Sequence, residues 1–495
     1  MLFNSIDFIL FLPVVFLLYW FVFDRCNCKS KWQLRLQNAF VVVASYVFYG
    51  WWDWRFLLLI VITSLCSWLS GVLMHKADMQ KDTNDNYVTR KRKFISVINI
   101  VINLAILATF KYYDFFVTEF ANLFHLSADG ILLNVILPVG ISFYTFQALS
   151  YSIDVYRRKM EPTKDMVAFF AFISFFPQLV AGPIERATNL LPQFLKKREF
   201  DYTAAVDGCR QILWGMFKKI VVADNCAVVA NEIFSDYANM PASLLLVGAL
   251  FFTFQIYGDF SGYSDIAIGT AKLFGIKLMR NFNVPYFSRD IAEFWRRWHI
   301  SLNTWFRDYV YIPLGGSRTI KAKIVRNILV VFLLSGLWHG ANWTFIAWGA
   351  YHALLFLPLI LLGKNRKNTS SIAEGKFLPS LKDLGMMLLT FALVVIGWIF
   401  FRAETITDAW YYIAGLCGKD IFRASYRFFL FYGNCAGWSV LAMLIVEWLQ
   451  RNKEHGLDIG NIKYGWLRIA IYYAVIAIIA YFGNFSGNQF IYFKF

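Results

Sequence analysis

Apolar residues run in long blocks along this chain, broken by short polar and basic loops, and the blocks predict helices of membrane-crossing length. A bilayer needs about 20 apolar residues per helix. The first block, 8–23, has no basic residue before it and no small-residue cleavage site. It is followed by Asp24-Arg-Cys-Asn-Cys-Lys-Ser-Lys31, a stop-transfer pattern, so it reads as an anchor helix rather than a removable signal. The basic flank places the N-terminus outside the cell and residues 24–37 inside. Blocks at 38–51 and 56–74 return the chain to a polar loop, 76–93, that ends in Arg90-Lys-Arg-Lys93. Residues 94–118 lead out to a loop with few basic groups, 118–130, and 131–153 lead back to Arg157-Arg158-Lys159.

The pattern then becomes less regular. Residues 167–181 are short for a crossing and run into Val180-Ala-Gly-Pro-Ile-Glu-Arg186. A Gly-Pro break at membrane depth requires backbone buried in protein or lining a cavity, so this segment reads as a re-entrant or broken helix. Residues 204–223 carry Lys218 and Lys219 within an apolar pattern, which suggests a helix lying at the interface. Further spans are expected at 242–257, at 326–341 and 343–362 (joined only by the turn 340–343), and at 383–401, 433–449 and 466–482. The basic run Lys364-Asn-Arg-Lys367 marks a cytoplasmic loop. The expected fold is an all-α polytopic integral membrane protein of ten to twelve crossings plus re-entrant and interfacial helices. A β-barrel would alternate with a period of two, which is not seen. Neither a soluble domain nor an internal repeat is visible.

Composition agrees. The 495 residues are 58% hydrophobic and 16% charged, against roughly 25% charged in soluble domains. The net charge of +16 sits in the short loops, and no nucleic-acid module is visible; anionic head groups of membrane lipids or an anionic cofactor are the better partners. The seven cysteines show no metal-ligand spacing and read as reduced; the spacing of Cys417 and Cys435 cannot establish a bridge.

Chemistry concentrates between residues 259 and 352. Asp259, Ser261, Ser264 and Asp265 follow an apolar span directly. Ionisable groups at a membrane mark either a function or a paired interior contact, and a helix cap is the plainer alternative here. From Ser288 to Tyr311 a single helix is expected, with Ile291, Trp295, Trp298, Leu302, Trp305 and Tyr309 as its apolar stripe. Arg289, Glu293, Arg296, Arg307 and Asp308 fall on its other face, and His299 lies at the edge of the stripe. His299 is either a satisfied structural histidine or a reactive one. His339 ends the apolar run 327–338 and is followed by Gly340. A ring in such surroundings is neutral near pH 7 and can accept a proton from a hydroxyl; the alternative is a bond to a neighbouring helix. Gly336 and Gly340, four residues apart, allow close approach of another backbone or a ligand. His352 reads as a packing partner.

Several pieces together resemble the bacterial branch of the membrane-bound O-acyltransferase superfamily, in particular the alginate O-acetylase membrane subunits. They are Gly140-Ile-Ser-Phe-Tyr-Thr-Phe-Gln-Ala-Leu-Ser-Tyr-Ser-Ile-Asp-Val-Tyr-Arg157, Phe176-Pro-Gln-Leu-Val-Ala-Gly-Pro-Ile184 and Tyr257-Gly-Asp-Phe-Ser-Gly-Tyr-Ser-Asp265. Phe294-Trp-Arg-Arg-Trp-His-Ile-Ser-Leu302, Leu337-Trp-His-Gly340 and the closing Asn488-Gln-Phe-Ile-Tyr-Phe-Lys-Phe495 continue the match over essentially the whole chain. The resemblance implies one membrane domain over 1–495, a helical shell around a central tunnel with its catalytic core at about 135–355 and C-terminal helices at about 380–495. It puts His339 in the place of the family's near-invariant histidine and His299 in that of the second conserved position. The location it implies is a bacterial inner membrane.

The activity so implied passes an acetyl group from a cytoplasmic thioester, acetyl-CoA or another acyl donor, to an extracytoplasmic polysaccharide. An exported or membrane-anchored esterase-like partner within a polysaccharide biosynthesis complex often completes the transfer. No tightly bound cofactor and no metal are expected. The expected donor- and substrate-binding residues are Asp259, Ser261, Asp265, Arg289, Arg296, Arg297, Arg307, Trp298, Trp338 and Asn342. D-alanyl or other acyl transfer to a cell-wall polymer is the related alternative. A transporter or flippase without chemistry, or a structural anchor, are the unrelated ones, and the anchor predicts that both histidines are dispensable.

Overall fold

A computed structural model describes residues 1–23, 30–79, 85–421 and 434–485. Cys26, Cys28 and the closing motif 488–495 lie outside these. The described residues are helical, and their contacts group into two compact units, Met1–Gly208 with Ala267–Met279, and Cys209–Ile266 with Arg280–Phe495.

The first unit holds α1 (Ile6–Leu17), α2 (Ser30–Asp53), α3 (Leu57–Asp78), α4 (Asp85–Lys111), α5 (Tyr113–Leu123), α6 (Ile141–Tyr156), α7 (Met166–Ser174), α8 (Phe176–Leu179) and α9 (Ala187–Phe194). α3 packs on α4 and α6, and Gly71 makes room there for the Tyr151 ring. The block expected over 131–153 is helical only from Ile141. Gly140, at a φ of +74°, turns the chain into α6 against the carbonyl of Leu179, an approach and a dihedral that a side chain would resist. The break expected after residue 167 is present: α7 ends at Ser174, α8 adds one turn, and buried, non-helical residues follow through Ile184. Their polar ends are satisfied inside the protein. The buried Glu185 accepts from the Met279 amide and from Asn189.

The second unit holds most of α10 (Tyr202–Met216), then α11 (Asp224–Ser235), most of α12 (Ala242–Leu273), α13 (Ile291–Arg297), α14 (Ile300–Phe306), α15 (Lys321–His339), α16 (Trp343–Leu361), α17 (Leu381–Arg402), α18 (Ile406–Gly415), α19 (Asn434–Leu449) and α20 (Gly465–Phe482). A π-helical stretch, Phe217–Ala223, joins α10 to α11. The reason for reading 204–223 as an interfacial helix, two lysines turned to the interface, does not hold. Lys218 and Lys219 are buried, Lys218 on Asp265 and Lys219 between Asp224 and Asp259 at 2.8 Å from each. Buried ammonium groups need such partners, and the partners explain why these lysines do not reach water. Asp259 and Asp265 consequently sit inside α12 rather than capping the end of a span.

Eight helical stretches among the described residues are long and apolar enough to cross a membrane, and one of them, Lys31–Asp78, is α2 and α3 joined at Trp54–Phe56. The higher count expected from the sequence includes shorter apolar helices, such as Cys435–Leu449. α20 has no buried residue although it is almost wholly apolar, which is what a helix facing lipid requires. The protein is a multi-pass, all-helical membrane protein.

Candidate active site

The site is built where the expected helix Ser288–Tyr311 breaks. α13 ends at Arg297, Trp298 is extended, His299 stands at a φ of +44°, and α14 starts at Ile300. Non-glycine residues rarely adopt this left-handed conformation, and it persists only where the surroundings enforce it. Asn303 enforces it from one side by donating to the carbonyls of Trp295 and Trp298, both at 2.6 Å. From the other side the chain at Asn281–Asn283 pairs with the break: Ile300 N–H donates to the Asn281 carbonyl and Asn283 N–H to that of Arg297, each at 2.9 Å. The apolar stripe read from the sequence is buried as expected at Ile291, Trp295, Trp298, Leu302 and Trp305. Glu293, placed on the water-facing side by the helical wheel, is also buried, where Arg289 and Arg297 neutralise it at 3.0 and 2.9 Å.

The break turns the His299 ring inward. It lies edge-on to Phe260 of α12 at 4.6 Å between ring centres and 5.9 Å from Trp338. His339, the last residue of α15, brings its ring to 6.5 Å from that of His299. Trp338, Trp348 and Phe401 surround His339 at 5.0, 5.1 and 5.2 Å. Both imidazoles are buried, at 1% and 3% exposure, which excludes a role as surface histidines. Burial pushes the His299 imidazolium down to about 3, so this ring is neutral at physiological pH.

The backbone permits this approach. α15 and α16 pack closely because Gly336 meets the Phe345 carbonyl and Gly349 meets that of Phe332, while the Phe345 ring fills the place a side chain at Gly340 would take. Asn342 caps α16 by accepting from Thr344 N–H and donates to the Glu404 carbonyl, so its side chain is engaged in holding the turn.

The other expected binding residues are placed unequally. Trp298 is buried against Trp398 and Trp338 stands beside both histidines, so these two belong to the site's wall. Asp259 and Asp265 are engaged with Lys219 and Lys218, and Ser261 is buried near them on α12. Arg289 and Arg296 reach the loop after α16: Arg289 donates to the Ser370 carbonyl, Arg296 to those of Asn365 and Asn368. Arg307 is exposed and paired with Asp308. His352, expected as packing, is enclosed by Trp295 and Trp348 at 4.9 and 5.2 Å.

Sequence reasoning missed Asn281. Its side-chain oxygen receives the Ser301 hydroxyl at 2.9 Å and the Ser301 N–H at 3.3 Å, and lies 3.1 Å from Nδ1 of His299. Only the departure from apolar patterning at Arg280-Asn-Phe-Asn could have drawn notice to it.

Comparison with known proteins identifies the family. Residues 49–371 match the model of the membrane-bound O-acyltransferase family. The chain is 40% identical over 415 residues to the probable alginate O-acetylase AlgI of Pseudomonas aeruginosa, covering 83% of this chain and 74% of that protein. It is 36% identical over 447 residues to the peptidoglycan O-acetyltransferase of Helicobacter pylori, covering 85% and 80%. The teichoic acid D-alanyltransferase of Bacillus subtilis is 30% identical over 289 residues, covering 55% and 70%. The family match spans α3 through α16, both histidines included, and the chain belongs to the membrane-bound O-acyltransferases.

Proposed function

We propose that the protein transfers an acetyl group from cytoplasmic acetyl-CoA to a hydroxyl of an extracytoplasmic polysaccharide, with an esterase-like partner completing the delivery. The observation that carries this reading is the pair of buried imidazoles, 6.5 Å apart, inside a membrane protein of this family. In the reaction the O–H of the attacking group, the acceptor's hydroxyl or the partner's nucleophile that later passes the acetyl on, breaks. The oxygen attacks the thioester carbonyl, the C–S bond breaks, and the thiolate leaves with the proton. His339 removes the hydroxyl proton, and His299 assists from the donor side.

The polarity of the second unit supports this division of labour. α15 starts among Lys321, Lys323 and Arg326 and ends on His339, about 28 Å away for 19 residues. Basic residues favour the cytoplasmic side, so His339 lies toward the opposite one. Arg289 and Arg296 bind carbonyls at Asn365, Asn368 and Ser370, in and after the basic run Lys364-Asn-Arg-Lys367, which supports the arginine end of α13 as the end that attracts the phosphates of the donor. Acetyl rather than D-alanyl transfer is favoured because the two acetyl-transferring relatives align over 83% and 85% of the chain and the D-alanyltransferase over 55%.

His339→Ala tests the reading. Loss of a general base lowers the rate roughly 10²–10⁴-fold, so the variant should insert normally while acetate released from the purified surface polymer falls to background. Wild-type acetate release from an inserted variant would end this assignment.

A further inference from the structure

We infer that Asn281 is a positioning residue for the reaction: it fixes His299 in the tautomer that carries hydrogen on Nδ1 and leaves the lone pair on Nε2. The inference rests on the reading of His299 as part of the reacting pair.

The argument runs through donors and acceptors. A backbone N–H only donates, so the Ser301 N–H at 3.3 Å identifies the atom it meets on Asn281 as the carbonyl oxygen. The Ser301 hydroxyl donates to the same oxygen at 2.9 Å. The amide nitrogen of Asn281 turns the other way and donates to the Ser264 hydroxyl at 3.2 Å. Nδ1 of His299 lies 3.1 Å from that oxygen and 3.4 Å from the Ser301 hydroxyl, whose own hydrogen is directed along the shorter bond to Asn281, so Nδ1 faces acceptors and bears the hydrogen. Asn281 is fully buried, so water cannot compete for these bonds. Nε2 of His299 is left as the basic atom, and among the described residues no protein group bonds to it.

This deepens the role of His299. A ring with its lone pair on Nε2 enters the cycle as a proton acceptor. It cannot protonate the leaving thiolate until it has taken up, from His339 across the 6.5 Å between the rings, the proton that His339 removed from the attacking hydroxyl. Imidazolium then forms with N–H at both positions, Nδ1–H stays on Asn281, and the Nε2 proton passes to the sulfur as the C–S bond breaks. Atoms and charge balance, and the ring returns to its starting tautomer. Asn281 acts only through the ring, as an orienting partner that keeps the reactive nitrogen available.

The test uses membranes carrying the full chain and its partner, supplied with radiolabelled acetyl-CoA, with label counted in the surface polysaccharide. Asn281→Ala should lower kcat roughly 10–100-fold, the usual effect of losing an orienting partner, with KM for acetyl-CoA unchanged. Asn281→Asp keeps the acceptor, so it should recover most of the rate. Its carboxylate stabilises imidazolium, so the acid limb of its pH–rate profile should move to higher pH. Full activity in Asn281→Ala, or an unmoved profile in Asn281→Asp, overturns the inference. Should Asn281→Ala fail to insert, the profile of Asn281→Asp decides alone. His299→Ala separates the two levels: if it is inactive while Asn281→Ala is active, only the positioning role falls. If His299→Ala is itself fully active, the reading beneath it falls as well.

Discussion

A histidine at a φ of +44° inside an aromatic enclosure carries two unfavourable terms, backbone strain of roughly 1–3 kcal/mol and a desolvated ring. Neither helps the fold, and glycine would remove both. The second term makes stability depend on pH. The unfolded ring titrates near 6.5 and the folded one at about 3, so below 6.5 the unfolded chain binds a proton that the folded chain refuses. His299 therefore imposes no protonation penalty above pH 6.5, and the penalty grows as the pH falls toward 3, by roughly 1.4 kcal/mol per unit in that window. His299→Gln, neutral at every pH, should lose less thermal stability than the wild type between pH 7.5 and pH 5 in detergent. Equal losses in the two proteins would mean that the ring is hydrated and titrates normally. At this scale the sequence showed the two histidines, because each interrupts an apolar pattern. It could not show Asn281, since a buried amide eighteen residues upstream leaves no periodic signal and acquires its role only through the chain reversal at Asn281–Asn283.

Elements were legible where length and hydrophobicity sufficed, as in α15, α16, α17 and α20. They were misread where buried polar groups pair with one another. Lys218 and Lys219 suggested an interface because their carboxylate partners lie on α11 and α12, beyond the reach of local patterning. The helix Ser288–Tyr311 had an unbroken stripe, yet Asn303 and the Asn281–Asn283 segment offer its backbone other bonds at His299. The glycine spacing around His339 was read correctly as close approach, and it yields a prediction at this scale. A methyl group at Gly336 runs into the Phe345 carbonyl, a backbone atom that cannot turn aside. Gly336→Ala should destabilise by about 1–3 kcal/mol and displace His339, lowering activity as well. Gly385, on α17, has open space where a side chain would go, so Gly385→Ala should leave activity and melting temperature nearly unchanged. Comparable melting of the two variants would show that α15 and α16 are free to separate without harm.

For the molecule as a whole the decisive property is sidedness, because the proposed reaction brings its two substrates from opposite faces of the bilayer and so requires the chain to be oriented as its charges direct. α16 ends at Lys364-Asn-Arg-Lys367, α17 then runs from Leu381 to Arg402, and Glu404 follows, its carbonyl bonded to Asn342 beside His339. One candidate span thus separates the arginine-held loop from the turn next to His339, and the positive-inside bias predicts a cytoplasmic loop. Fusion of a fluorescent protein that matures only in the cytoplasm after Lys367 should give bright cells. Fusion of an alkaline phosphatase that folds only outside it after Glu404 should give active enzyme. The reverse pattern would leave Arg289 and Arg296 facing the acceptor, where a cytoplasmic thioester never arrives, and the assignment of donor and acceptor sides would have to be exchanged. Both reporters on one side would remove α17 as a crossing, and with it the geometric reason for placing the histidines between the two substrates.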